Sequence, residues 1–192
     1  DKPDAALSQK VIGDLDNAIT YMKQNHNYSK IIIIGVSGGG YTALGYLQRT
    51  NLKIDVVSSW SPVTDLVKWY YESKARKYSY YKHIELITQS KENILDKEKA
   101  KMRSPIHMNV SDKLKHTKIN IYAGIHDGYT GSIPISHSLL YYNKLLNNLY
   151  PDQKQIPLTK ILNLVTSRSS IHKLSKKIQN RSIHFQHAYK NL

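Results

Sequence analysis

Ser37 stands in Gly35-Val36-Ser37-Gly38-Gly39, directly after the run Ile31-Ile32-Ile33-Ile34. A serine hydroxyl attacks an acyl carbon only when a neighbouring group activates and aims it. The pattern Gly-x-Ser-x-Gly at the end of an apolar strand suits a sharp strand-to-helix turn that leaves the hydroxyl exposed off the end of a sheet. Gly35 and Gly39 lack a Cβ, so strand and helix can close around the bend. The N–H of Gly38, at the start of the following helix, can point at a developing oxyanion. A phosphate-binding loop is the rival for a glycine-rich turn of this kind. It needs a Lys-Ser/Thr ending, whereas Tyr41-Thr42 follows Gly40, and Gly-x-Gly-x-x-Gly is not matched in register.

An activated serine needs a histidine base, and that histidine needs an orienting carboxylate. On this turn type the chain order is Ser, then Asp or Glu, then His. The acid belongs just beyond a later parallel strand, because sites in such sheets sit at strand C-terminal ends. Asp127 meets both conditions, since it follows the strand-like stretch Lys118 to Ile125. Asp-Gly is also a common turn-former, so Asp127 gains its functional reading from the serine turn upstream.

The elements that must hold these residues alternate. Residues 4–24 carry apolar side chains at helical spacing. A strand at 31–36, a helix from about 39 to 49 and a strand from Ile54 to Trp60 follow, the last stopped by Ser61-Pro62. Residues 62–103 read as a helical insertion, with Thr64 as an N-cap and helices over Tyr78 to Thr88 and Lys91 to Met102. After the strand ending at Ile125, Ile135 to Leu149 is helical again. Residues 151–180 form a second helical excursion, one helix marked by Leu158, Ile161, Leu162 and Val165 and another by Ile171, Leu174 and Ile178. Arg181 to Tyr189 reads as extended. This order predicts a single α/β domain over 1–192, a parallel sheet with helices on both faces, and cap-like insertions at 62–103 and 151–180. A strand as apolar as 31–34 belongs at the centre of its sheet. The expectation is therefore a partial domain, with further strands before Asp1.

Composition narrows the class. The 192 residues carry 40% hydrophobic and 22% charged side chains, the balance of a globular domain. There is no cysteine, so disulfides, thiolate metal sites and cysteine nucleophiles are excluded. The net charge of +14 is spread over many polar helical segments, without the signature of a nucleic-acid recognition module. No nucleic-acid partner, membrane span, metal or cofactor is expected. Compartment and oligomeric state are left open.

The residues resemble the α/β-hydrolase superfamily, and within it the prolyl oligopeptidase-like branch. Gly35-Val-Ser-Gly-Gly39 with Gly40 is similar to that branch's nucleophile turn. Ser104-Pro105, Leu114-Lys115, Ile119 to Ile125 and Asp127 are similar to its acid-bearing block, with the acid three residues past Gly124. Ile133-Pro134 and Ser136-His137-Ser138 resemble the opening of the next helix. The resemblance implies a serine hydrolase with Ser37 as nucleophile, Asp127 as orienter of the base and the Gly38 N–H in the oxyanion hole. It also implies an upstream oxyanion loop and a Gly-His pair, and neither occurs here. The base is expected beyond Leu192. His184 is the weaker choice, since it and His187 read as strand residues. His172 reads as a surface residue, His126 precedes the acid, and His137 reads as helix packing. The aromatic stretch Trp60, Trp69, Tyr70, Tyr71 with Glu72 is expected near the mouth of the site. The favoured activity is hydrolysis of an acyl ester on a small or carbohydrate-linked group. A prolyl oligopeptidase-type peptidase and a non-catalytic hydrolase-like binding module are the alternatives. The expected partner is a small ester or a peptide.

Overall fold

The computed structural model describes residues 5–168 and, as backbone, 183–188. The Ser8 hydroxyl accepts the Val11 N–H at 3.3 Å and opens α1 (Gln9–Asn25). The isoleucine run becomes β1 (Ile32–Val36), and α2 (Gly38–Arg49) starts one residue beyond it. β2 (Val56–Trp60) ends at Ser61, whose φ of 44° turns the chain sharply. Three helices follow, α3 (Leu66–Ala75), α4 (Tyr80–Thr88) and α5 (Lys97–Met102). Then come β3 (Lys118–Gly124), α6 (Ile135–Leu149), α7 (Leu158–Ser167) and β4 (Ile183–Ala188).

Two local elements differ from the sequence expectation. Asp65, not Thr64, caps α3, its carboxylate accepting the Lys68 N–H at 3.0 Å. Thr64 instead donates its hydroxyl to the His137 carbonyl at 2.8 Å. The helix expected from Lys91 begins only at Lys97. Lys91 and Ile94 pair across a tight turn containing Asn93 at φ 60°, and Asp96 then caps α5. The expected helix over Ile171 to Ile178, and His172 with it, lie outside the described residues.

The described strands are all parallel, in the order β1-β2-β3-β4. Val36, Trp60, Tyr122 and Gln186 stand abreast at the C-terminal end of the sheet. The chain continuing from each strand therefore emerges on one side, where a site can assemble. One sheet face carries Val57, Ser59, Ile119 and Ile121, all fully buried. It lies against α2 and α6, both of which hydrogen-bond the Pro105 carbonyl, from Gln48 at 3.1 Å and Lys144 at 2.9 Å. α1 is tied to α2 through Asp16, which accepts the Tyr46 hydroxyl at 2.6 Å. On the other face Ile32, Ile34 and Val36 are exposed, at 57%, 71% and 65%. Among the described residues β1 is an edge strand, paired with β2 alone, so the central placement expected for it is not found there. No described helix is long and apolar enough to cross a membrane.

Candidate active site

Ser37 sits at φ 54°, ψ −115°, between the last residue of β1 and the first of α2. A non-glycine residue held there costs of order 1–3 kcal/mol and persists only if its surroundings over-determine it. They do: its N–H donates to the Trp60 carbonyl at 2.8 Å, and its carbonyl accepts the Tyr41 N–H at 3.0 Å. Glycine is needed at two points of close approach. A Cβ on Gly35 would lie 2.3 Å from the Gly39 carbonyl oxygen, and one on Gly40 would lie 2.7 Å from Ser59 Oγ. The Ser37 side chain does not cap α2 and is exposed. The Gly38 N–H is one of the unpaired donors at the start of α2.

Asp127 lies in the turn after β3. Its N–H donates to the Gly124 carbonyl at 3.0 Å. Its Oδ2 accepts the Gly124 N–H at 2.8 Å and the Ser61 hydroxyl at 2.6 Å. Gly128 follows at φ 89°, so the Asp-Gly pair does form a turn, and the same turn fixes the carboxylate. No described residue donates to Oδ1.

Ser37 and Asp127 thus follow the C-terminal ends of β1 and β3, with β2 between them. The link across β2 is one dipeptide, Trp60-Ser61. Trp60 holds the Ser37 backbone, and Ser61 holds the Asp127 carboxylate while its N–H donates to the Tyr122 carbonyl at 2.7 Å.

A cavity of about 660 Å³ opens beside Ser37 and Gly38. Val63, Leu66, Trp69, Ile84, Ile87 and Ile133 supply most of its apolar wall. Tyr41 lines it too, with its hydroxyl donating to the Arg103 carbonyl at 2.9 Å, and burial raises its pKa well above the usual phenol value. A neighbouring cleft of about 450 Å³ contains Asp127, Lys68, Glu72 and the α7 residues Leu158, Leu162 and Val165. Of the aromatic stretch, Trp69 alone lines the larger cavity. Trp60 stacks on Tyr122 with ring centroids 4.1 Å apart. Tyr70 is buried and donates to Glu85 at 2.8 Å, and burial with that bond lifts its pKa to about 12.

Histidine placement is instructive. The His137 side chain is fully buried, its Nδ1 accepting the Thr64 N–H at 3.2 Å and its Nε2 lying 2.9 Å from Glu72 Oε2. Backbone N–H groups can only donate, so Nδ1 carries no proton and Nε2–H donates to Glu72. Both ring nitrogens are committed, which agrees with the packing role read from sequence. His126 is exposed and adjoins Asp127. His184 and His187 fall on β4, opposite Asn120 and Ala123 in backbone register. Sequence reasoning passed over His83, which lines the cavity with Ser37 from α4 and meets Tyr80 edge-on. It also passed over Ser61 beyond its place at a strand end. No local signal marks Ser61, because its partner is 66 residues away. Among the described residues no group of three His, Asp or Glu side chains could hold a metal ion.

A parallel sheet, a strained serine between strand and helix, and a fixed carboxylate two strands away define a protein of the α/β-hydrolase class. The chain belongs to the prolyl oligopeptidase family, whose model matches residues 4–188. Solved structures agree on the fold. Acylaminoacyl peptidase from Pyrococcus horikoshii is 20% identical with a TM-score of 0.54, over 71% of this chain and 20% of that one. Prolyl oligopeptidase B from Galerina marginata, in its apo form, is 17% identical with a TM-score of 0.57, over 82% and 22%. The chain therefore spans about a fifth of the length of these relatives. No curated protein sequence matches it.

Proposed function

We propose that the protein carrying this chain is a serine hydrolase that cleaves a peptide or other acyl bond through an acyl-enzyme. The observation behind this is the strained Ser37, exposed at the same sheet end as Asp127 and joined to it through Trp60-Ser61. In this reading Ser37 Oγ attacks the carbonyl carbon while a histidine takes its proton. The oxyanion then forms against the Gly38 N–H, a kind of donor whose removal costs about 3 kcal/mol. Collapse expels the leaving amine or alkoxide with a proton returned by the histidine, and water repeats the sequence to free the acid. Asp127 Oδ1 is the acceptor for the histidine Nδ1–H. The histidine is assigned to the chain after β4, beyond Leu192.

Ester hydrolysis was the activity favoured by sequence. The relatives move the preference to a peptide bond, since both are peptidases by name and one form of the Galerina enzyme is bound to a 35-residue hydrolysis and macrocyclization substrate. The apolar cavity beside Ser37 suits a bulky hydrophobic side chain next to the scissile bond. The helices of 62–103, which build most of that wall, and α7 over the Asp127 cleft act as a cap.

The test compares the full-length protein with its Ser37→Ala variant on a peptide p-nitroanilide and a p-nitrophenyl acyl ester. Activity on both that vanishes in a folded variant supports the reading, and a faster amide turnover than that of a matched esterase control supports the peptidase assignment. Activity retained in Ser37→Ala overturns the nucleophile. No turnover by the wild type favours a binding module.

A further inference from the structure

We infer that Ser61 is a positioning residue for the Asp127 carboxylate, a role that rests on the serine-hydrolase reading above. Its hydroxyl donates to Oδ2 at 2.6 Å, and the Gly124 N–H donates to the same oxygen at 2.8 Å. Two donors on one oxygen pin the carboxylate plane. They leave Oδ1, which lies beside Gly124 and Gly131, as the acceptor without a described donor. A short hydroxyl-to-carboxylate bond is charge-assisted and among the stronger kinds.

Ser61 is held for this task at a conformational cost. Its φ is 44°, in the left-handed region that glycine occupies freely and serine does not. Its N–H is bonded to the Tyr122 carbonyl at 2.7 Å, which locks it beside β3. If only the bend mattered, glycine would serve better. The hydroxyl is what glycine lacks.

The electrostatic consequence has a definite sign. A hydroxyl donor withdraws negative charge from the carboxylate, so the imidazolium beside it is stabilised less. Removing the donor raises the pKa of the base, and the acidic limb of the rate profile moves to higher pH. The other ionisable groups sharing the cleft with Asp127 are Lys68 and Glu72 from α3, Tyr129 from the same loop and Arg168 after α7. Among the described residues none of them hydrogen-bonds the carboxylate, and none is altered by the substitutions below.

The experiment measures the rate of Ser37 modification by a fluorophosphonate in the full-length protein against pH, for wild type, Ser61→Ala and Ser61→Gly. Both variants are expected to react about ten-fold more slowly, with the acidic limb raised by roughly half a unit to one unit. Ser61→Gly is expected to lose less thermal stability than Ser61→Ala, because both lose the hydroxyl but only glycine relieves the left-handed bend. Slowing in Ser61→Ala alone, together with lower stability and an unmoved limb, would assign Ser61 to the bend and overturn the inference. Wild-type rates and limb in both variants would overturn it as well, with the serine-hydrolase reading intact. A wild type that takes no label would fail at that earlier reading, and the role of Ser61 would fall with it.

Discussion

Asp127 and Glu72 line the same cleft, yet their partners prepare them for opposite ends. Glu72 has its histidine already: the buried His137 ring spends Nε2–H on Glu72 and Nδ1 on the Thr64 N–H. Lys68 lies 3.7 Å from the other Glu72 oxygen. That pair is complete, and a complete pair has no lone nitrogen with which to take a proton from serine. Asp127 shows the reverse arrangement. One oxygen is saturated by Ser61 and Gly124, and the other has no described donor. A histidine next to a carboxylate is therefore no mark of a catalytic base. The informative feature is an acid that is rigid on one side and open on the other.

Substitutions at the two acids separate their roles. Asp127→Asn should lower turnover of the full-length protein by about 10⁴-fold, because an amide leaves the histidine in the wrong tautomer. Steady-state kinetics on a folded variant checks this, and undiminished kcat would move the acid elsewhere. Gly35→Ala drives a Cβ to 2.3 Å from the Gly39 carbonyl oxygen. The backbone there cannot yield cheaply, so roughly 3 kcal/mol or more of stability should be lost, read by urea denaturation. An unchanged midpoint would mean that the serine turn is looser than its contacts require.

His137→Ala probes the other acid. It leaves the buried Thr64 N–H and the Glu72 Oε2 atom without a partner, and should destabilise by roughly 2 kcal/mol. Its labelling rate per folded molecule should match the wild type, and a loss of rate in the folded fraction would make His137 part of the reaction. Glu72→Gln should do least. An amide oxygen still accepts the imidazole N–H, so about 1 kcal/mol of stability is at stake and kcat should stay level.

How much of this was legible in sequence follows from the distance over which each feature is encoded. The serine turn was legible because strand, glycines and nucleophile occupy consecutive positions. Asp127 was legible because a polar Asp-Gly turn directly follows an apolar strand. β4 is legible as an extended stretch, with Ile183 and Phe185 alternating with His184 and Gln186, but nothing local names its partner, and it pairs with β3 along its whole length. Ser61 and the His137–Glu72 pair were not legible as contacts. Their partners lie 66 and 65 residues away and meet only once the parallel register is set. The Thr64 reading failed for a related reason. Thr64 is a good cap by type, but the His137 carbonyl takes its hydroxyl and the cap passes to Asp65. The isoleucines of β1 mark the limit of a composition argument. Their run promised a place at the centre of the sheet, whereas Ile32 and Ile34 are open to solvent among the described residues.

The most direct test of the central claim is peptide mapping of the full-length protein after treatment with a fluorophosphonate. A single phosphonylated peptide is expected, with the adduct on Ser37, and no adduct in Ser37→Ala. An adduct on another serine, or an unmodified Ser37 in protein that turns over substrate, would contradict it.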